Sequence, residues 1–227
     1  MDSRAARETS VAIETSGSFG SVAIRAGGTL EFSTLETARA QARDLLPELA
    51  SLLERAGVER RQGTLALDAI YVGTGPGSYT GLRIGIATAL GLQQATGARL
   101  RGVASFEALA FRELAADEEG TVALDARAGR FYFARFRRTA QDIEAILAPC
   151  ALPRGELLDA MPAAGPLFVD ASFERSFDLT PELRSRVRID AIPRADAVLE
   201  LGTLRMEQHG PQAPEEVEPL YLRAFGE

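Results

Sequence analysis

The sequence predicts an α/β protein of two lobes, each opening with a β-hairpin. Two observations predict it. The early part of the chain reads as three strands followed by alternating helices and strands, and the opening hairpin pattern returns near the midpoint.

The elements follow in order. "SVAIETS", "GSFG" and "SVAIRAGG" read as two strands joined by a tight Gly-bounded turn, and "TLEFSTLE" follows Gly27-Gly28 as a third strand. Leu45, Leu46, Leu49, Leu52, Leu53 and Ala56 recur at helical spacing and Gly57 is a good stop; Pro47 inside the pattern predicts a kink or a restart. "LDAIYVG" is a buried strand and Leu82–Ala95 a helix. "ARLRGVAS" is the next strand, followed by the helix "SFEALAFRELAA" capped by Ser105. This order, βββαβαβα, is that of the ribonuclease-H-like lobe found in actin, sugar kinases and Hsp70-type ATPases. "VAIETSGSFGSVAIR" from Val11 aligns without a gap with "VALDARAGRFYFARF" from Val122, so the fold expected is two-lobed and actin-like (ribonuclease-H-like, ASKHA). Residues 1–105 form the first lobe, carrying GPGSYTGLRIG. Residues 106–227 form the second, with "AILAPCAL", a helix around "RGELLDAM", a strand at "PLFVDAS" and a helix from Ala195 to Gln208. The tail "PQAPEEVEPLYLRAF" ends in an apolar cluster that has to dock somewhere, the first lobe being one place for it.

Composition narrows the chemistry. With 227 residues the chain can bury a sizeable core, and its net charge of -7 argues against gripping nucleic acid unaided. All 25 cations are Arg, so there is no lysine for a phosphate loop or a Schiff base. A single cysteine, Cys150, excludes an internal disulfide and suits a reducing compartment. The only histidine, His209, sits in a Pro/Gly-rich tail, so Cys150 reads as a small hydrophobe and a zinc site is not expected. The N-terminus lacks the apolar core of a secretion signal and no apolar run reaches bilayer length, so a cytoplasmic location is expected.

The stretch "GTGPGSYTGLRIGIATALGL", Gly73 to Leu92, concentrates the candidate sites. It is not a phosphate loop of the Gly-Lys-Ser/Thr type, since Thr80-Gly81 runs into Leu82 and Arg83. Its glycines still permit close backbone approach and feed a helix N-terminus, so Gly75, Gly77, Ser78, Thr80, Gly81 and Arg83, with Thr15 from the first hairpin, are candidate nucleotide or anion contacts. The competing reading is a strand–turn–helix elbow packed tightly for steric reasons. An actin-like ATPase also takes an acid from each hairpin, with hydroxyls and glycines about the phosphates. Glu14 to Ser18 imitate this, but Asp125 is followed by Ala126, Arg127 and Ala128, and Arg127 and Arg130 are available to pair with it. Hydrolysis is therefore not expected, and no catalytic residue or metal ligand is assigned.

The helix after the loop is apolar around about twice the ~100° arc that a sheet-packed surface helix needs. Only Arg83, Ala87 and Gln94 mark a wet side. A second cover is required, either the other lobe or another chain. The candidate partner surface is Leu82, Gly85, Ile86, Ala89 and Leu90, with Leu45, Leu49 and Leu52 of the preceding helix and Ala38 and Ala42 before them.

"GTGPGSYTGLRIG" closely resembles the signature of the TsaB (YeaZ) family of bacterial tRNA-modification proteins. "AIETS", "LLPEL", "GVASFEALA", "ALDARAGRFYFA" and "PLYLRAF" occur in that family's order. The resemblance implies a two-lobed actin-like subunit without its own catalysis. It implies pairing with the homologous catalytic subunit TsaD and the ATPase TsaE, to transfer a threonylcarbamoyl group onto the adenosine beside the anticodon of certain tRNAs. It also implies a homodimer in isolation whose surface overlaps that used for TsaD, tRNA contact only through the complex, no membrane, no cofactor in the isolated chain, and ATP or ADP, if anywhere, at the TsaD boundary. The chain departs from the family pattern at Glu14, where Asp is common, at Gln41-Ala42, where His-Ser is frequent, and at Tyr79, where Phe is usual. A small-molecule kinase or ATPase of the same fold is the alternative, weakened by the second hairpin. The family's old glycoprotease (M22 peptidase) label fails for want of a His pair.

Overall fold

The computed structural model describes residues 8–35, 41–61 and 63–222, apart from the side chains of residues 41, 42 and 61. Two compact units emerge, one of residues 1–105 with 193–220, the other of residues 106–192 with 221–227. Ala38, the side chain of Ala42 and the end of "PLYLRAF" lie outside the described residues.

Unit 1 holds β1 (Ser10–Glu14), β2 (Gly20–Ala26), β3 (Thr29–Leu35), α1 (Gln41–Arg55), the short pair β4 (Arg60–Arg61) and β5 (Thr64–Leu65), β6 (Ala69–Gly73), α2 (Tyr79–Thr96) and β7 (Arg99–Val103). Its main sheet has the order β3-β2-β1-β6-β7. The first three strands are antiparallel, and β6 and β7 join in parallel. Central strands β1 and β6 are buried on both faces, which is why the runs Val11-Ala12-Ile13 and Ala69-Ile70-Tyr71-Val72 are continuously apolar or aromatic, with Glu14 at the end of β1 the exception.

One face of this sheet, built from Val11, Ile13, Val22, Ile24, Ile70 and Val72, carries α1 and α2. Leu45, Leu49, Leu52 and Leu53 of α1 are buried in that core. The helix therefore runs through Pro47 without restarting. A proline inside a helix costs about 3 kcal/mol, whereas each buried leucine returns about 1.5–3 kcal/mol. Gly57 (φ +65°) ends α1 as expected, with Gly57 N–H donating to Glu54 and Val58 N–H to Leu53.

The width of α2 is met from within the unit: the sheet covers one side and α1 packs alongside. Leu45, Leu49, Leu52, Leu82, Gly85, Ile86 and Ala89, the surface the sequence offers to a partner, are all buried in the unit's own core, and Leu90 is half-buried against it. The partner assignment of these residues is thereby corrected. Two helices sharing one sheet face bury each other's flanks, which a single-helix projection does not include. Arg83, Ala87 and Gln94 are exposed, as that projection indicates.

Unit 2 begins within α3 (Ser105–Glu113) and continues with β8 (Glu119–Arg127), β9 (Arg130–Arg138), β10 (Ile143–Pro153), the helical turn α4 (Arg154–Leu157), β11 (Leu167–Val169), α5 (Ala171–Ser176), α6 (Pro181–Arg186) and β12 (Val187–Ile189). Its sheet order, β10-β9-β8-β11-β12, reproduces that of unit 1 strand for strand. The gapless repeat slips at the turn: Ala12 faces Ala23 in the first hairpin, but Ala123 faces Phe133, not Ala134, in the second. An irregularity between Asp125 and Arg127, with Arg127, Ala128 and Gly129 all at positive φ, accounts for it. Phe131, Phe133, Phe173, Leu167 and Val169 form this unit's core, with Cys150 half-buried beside them.

The helix α7 (Ala195–His209), assigned to the second lobe on sequence order, packs on β1, β2 and β6 of unit 1. The physical reason is a vacant sheet face: Ala12 and Ala23 are too small to fill the side away from α1 and α2. Ala197, Val198, Leu201 and Gly202 are buried there. Residues 210–220 follow along β7: Gln212 N–H donates to Leu100, Gln212 Oε1 accepts from Gly102, and Val217 enters the core. No helix among the described residues is long and apolar enough to cross a membrane.

Gly202 is where α7 touches the sheet. A Cβ there would lie 2.5 Å from Cδ1 of the buried Tyr71 ring. Gly202→Ala is expected to destabilise unit 1 by about 1–3 kcal/mol, the usual cost of overpacking, read as a lower urea midpoint; an unchanged midpoint would refute the close packing of α7.

Candidate functional site

The glycine-rich stretch lies between the end of β6 and α2, and the end of β1 presses against it. Ser78 N–H donates to the carbonyl of Ser16 at 2.7 Å, and a Cβ on Gly77 would sit 2.2 Å from that same oxygen. Thr15 Oγ1 donates to the carbonyl of Gly81 at 2.8 Å, and a Cβ on Gly85 would sit 2.3 Å from Thr15 Oγ1. The glycines are thus set by close contact with the end of β1. Gly75 alone of the loop has positive φ (+97°), and its peptide bond to Pro76 is cis.

The amides of Gly75, Ser78 and Gly81 are bonded within the chain. Gly75 N–H donates to Ser105 Oγ, and Ser105 N–H returns a bond to the Gly75 carbonyl. Ser78 caps α2 by accepting from Gly81 N–H at 3.2 Å. Thr74 accepts from Leu220 N–H at 2.8 Å, fixing the loop to the C-terminal segment. Ser105, at the head of α3, accepts from the loop with its hydroxyl oxygen. Of the candidate anion contacts, Thr15, Gly75, Gly77, Ser78 and Gly81 are engaged in these internal contacts. Thr80 and Arg83 alone of that set are exposed, and the Arg83 guanidinium stacks over the Tyr79 ring at 4.6 Å.

The two acids that the sequence aligns occupy opposite settings. Glu14 is fully buried; its Oε1 accepts from Ser16 N–H at 2.6 Å, while Oε2 has no hydrogen-bond partner. Burial pushes its carboxyl above the ordinary carboxylate range, against the opposing pull of the Ser105 and Ser16 hydroxyls and of the Ser16 and Thr15 amides. Asp125 is exposed, and its Oδ1 accepts from the main-chain N–H of Arg127, a turn role. Asp125 N–H in turn donates to Asp170, which caps α5 through Ser172 and Phe173. Cys150 donates its thiol to the Phe133 carbonyl, and burial pushes the thiol up, away from a reactive thiolate. Among the described residues no three His, Cys, Asp or Glu side chains gather as a metal site would.

Outside this loop, α2 turns a different face to solvent: Thr80, Arg83, Ala87, Gly91, Gln94 and Ala95 are exposed, and on α1 Leu46 is 58% exposed. Leu45, Leu49, Leu52, Leu82, Gly85, Ile86 and Ala89 lie on the buried side of the same helices. The signal that finds the other side is the run of Ala87, Gly91 and Ala95, small residues where a solvated helix would carry long polar ones.

Fold and site together define a two-lobed actin-like α/β protein whose glycine-rich loop is closed on its own main chain. Residues 35–183 match the model of the TsaD family, tRNA N6-adenosine threonylcarbamoyltransferase. The tRNA threonylcarbamoyladenosine biosynthesis protein TsaB of Haemophilus influenzae is 26% identical over 224 residues, covering 95% of this chain and 93% of that protein. TsaB of Escherichia coli is 31% identical over 149 residues, 61% of this chain and 62% of that protein. The crystallised YeaZ of Pseudomonas aeruginosa superposes with a TM-score of 0.78 at 27% identity, covering 95% of this chain and 100% of that one. Against uncharacterised proteins of Mycobacterium leprae and Mycobacterium tuberculosis the match spans only 19% and 44% of their lengths, at 44% and 38% identity over 31% and 44% of this chain. The chain belongs to the TsaD family and, within it, to the TsaB/YeaZ group.

The glycines at 85 and 91 separate packing from exposure on one helix. Gly85→Ala is expected to cost about 1–3 kcal/mol through overpacking against Thr15. Gly91, whose Cβ would meet nothing within 4 Å, should gain about 0.5–1 kcal/mol as Ala from helix propensity. Thermal melts of the two variants shifting in the same direction would refute this account.

Proposed function

We propose that this chain is a non-catalytic partner subunit for threonylcarbamoyl transfer to the adenosine beside the anticodon of tRNA, acting with the catalytic subunit TsaD and the ATPase TsaE. Membership of the TsaB/YeaZ group supplies the pathway. One observation carries the division of labour: the Gly75, Ser78 and Gly81 amides are bonded within the chain, while α2 beside the loop exposes the small residues Ala87, Gly91 and Ala95. A phosphate cradle needs unengaged amides and ionised acids close together. Here the amides of Gly75, Ser78 and Gly81 are bonded, Glu14 is enclosed and Asp125 serves a turn.

The surface for assembly is then the outer face of α1 and α2, at Leu46, Thr80, Arg83, Ala87, Gly91 and Ala95, in place of the buried residues that the sequence suggests. Small residues let a second helix approach closely, and exposed Leu46 adds apolar area to bury. A second copy of the chain in isolation and TsaD in the working assembly compete for this face. Nucleotide, where it takes part, belongs to the TsaD boundary, and tRNA is met through the complex.

Gly91→Arg tests the face without touching the core, since the position opens onto solvent. The variant should melt like the parent chain, yet bind TsaD about ten- to a hundredfold more weakly, the equivalent of roughly 1.4–2.8 kcal/mol. It should also lose threonylcarbamoyl transfer in the reconstituted reaction. Normal binding by a folded Gly91→Arg protein refutes the interface. The isolated chain should not turn over ATP; steady hydrolysis abolished by Glu14→Ala would favour the kinase or ATPase alternative.

A further inference from the structure

Glu14 is a carboxyl enclosed in unit 1's sheet core, and it lies where a glycine makes room for it. A Cβ on Gly73, on the neighbouring strand β6, would fall 2.0 Å from Glu14 Oε2 and 2.9 Å from Ser105 Oγ. The carboxyl and the Ser105 hydroxyl therefore share the space over Gly73. That hydroxyl also accepts from Gly75 N–H, so a continuous polar path runs from the end of β1 through Ser105 into the glycine-rich loop. On the other carboxyl oxygen, Ser16 N–H donates at 2.6 Å, and the Ser16 carbonyl in turn receives Ser78 N–H. Ser16 and Ser105 thus join the carboxyl group to the loop.

Among the described residues nothing charged balances this carboxyl. The groups acting on it are the hydroxyls of Ser105 and Ser16 and the amides of Ser16 and Thr15. Across the ladder in β2 stands Ser21, whose hydroxyl accepts from Ala195 N–H at the head of α7. There Arg194 and Asp196 close on each other at 2.7 Å. From β6 comes Gly73, with no side chain. An ionised carboxylate enclosed without counter-charge is costly, and burial outweighs what the surrounding hydroxyls and amides return.

We propose that Glu14 works as a proton-carrying crosspiece: in its neutral form it fills the space over Gly73 and ties the end of β1, through Ser105, to the glycine-rich loop, and loss of the proton loosens that loop. The device is independent of what the chain assembles with.

The sign follows from linkage. A carboxyl whose folded-state value lies above its unfolded one contributes stability below pH 4.5, the ordinary value, and loses it as pH rises through the folded-state value. The Glu14→Gln substitution keeps the shape and the acceptor for Ser16 N–H, and the amide it introduces cannot ionise. The test compares urea unfolding of the full chain and of Glu14→Gln across pH, with the side-chain carboxyl carbon of Glu14 followed by NMR in the unaltered chain. The ratio of unfolding constants, parent over Glu14→Gln, should rise about tenfold per pH unit from pH 4.5 upward until the folded-state value is passed. The Glu14 carbon should remain in its protonated position through the ordinary carboxylate range. The Gly75 and Ser78 amide signals should move with its eventual titration in the parent chain and stay fixed in Glu14→Gln. A Glu14 carbon that titrates in the ordinary range overturns the proposal, even if Glu14→Gln fails to fold. So does a ratio that does not change with pH.

Discussion

The contact on which unit 1 depends is a close approach of two chain segments, where the end of β1 lies flush on the loop entering α2. Ser16 O against Gly77, and Thr15 Oγ1 against Gly81 and Gly85, leave no space for a side chain between them. Because α2 sits that close, Leu82, Ile86 and Ala89 reach the face of β1 and β6, and α1 can close the other flank with its leucines. Ser105 and the Leu220 amide then brace the loop from outside. A loop held this way positions a helix, with the Gly75, Ser78 and Gly81 amides bonded within the chain.

The two units repeat one topology, yet the chemistry of their matching hairpins has separated. In unit 1 the acid at the strand end is enclosed and braces the loop, while in unit 2 it is exposed, supports a tight turn and connects to the cap of α5. Strand order is maintained by hydrophobic alternation, which tolerates a one-residue slip at a turn.

Much of the architecture was legible in the sequence. The strands β1, β2, β3 and β6, the stop at Gly57 and the wet positions Arg83, Ala87 and Gln94 follow from periodicity and turn chemistry. The short β11 and β12, and the helices α5 and α6, gave weaker signals, since three- to six-residue elements carry too few periods to stand out. The site was legible in place but not in role. Glycine spelling marks a close approach; whether a phosphate or the protein's own strand makes it is decided by what lies opposite, here Thr15 and Ser16.

The sequence by itself determined the two-lobed α/β pattern, the family signature and the absence of lysine or paired histidine chemistry. These are properties of residue types and their spacing, set before any contact forms. Only the tertiary structure decided which side of α2 is spent on the core, that α7 covers the sheet of unit 1, and that Glu14 is enclosed. Burial is a relation between segments distant in the chain, and no local pattern carries the identity of the neighbour.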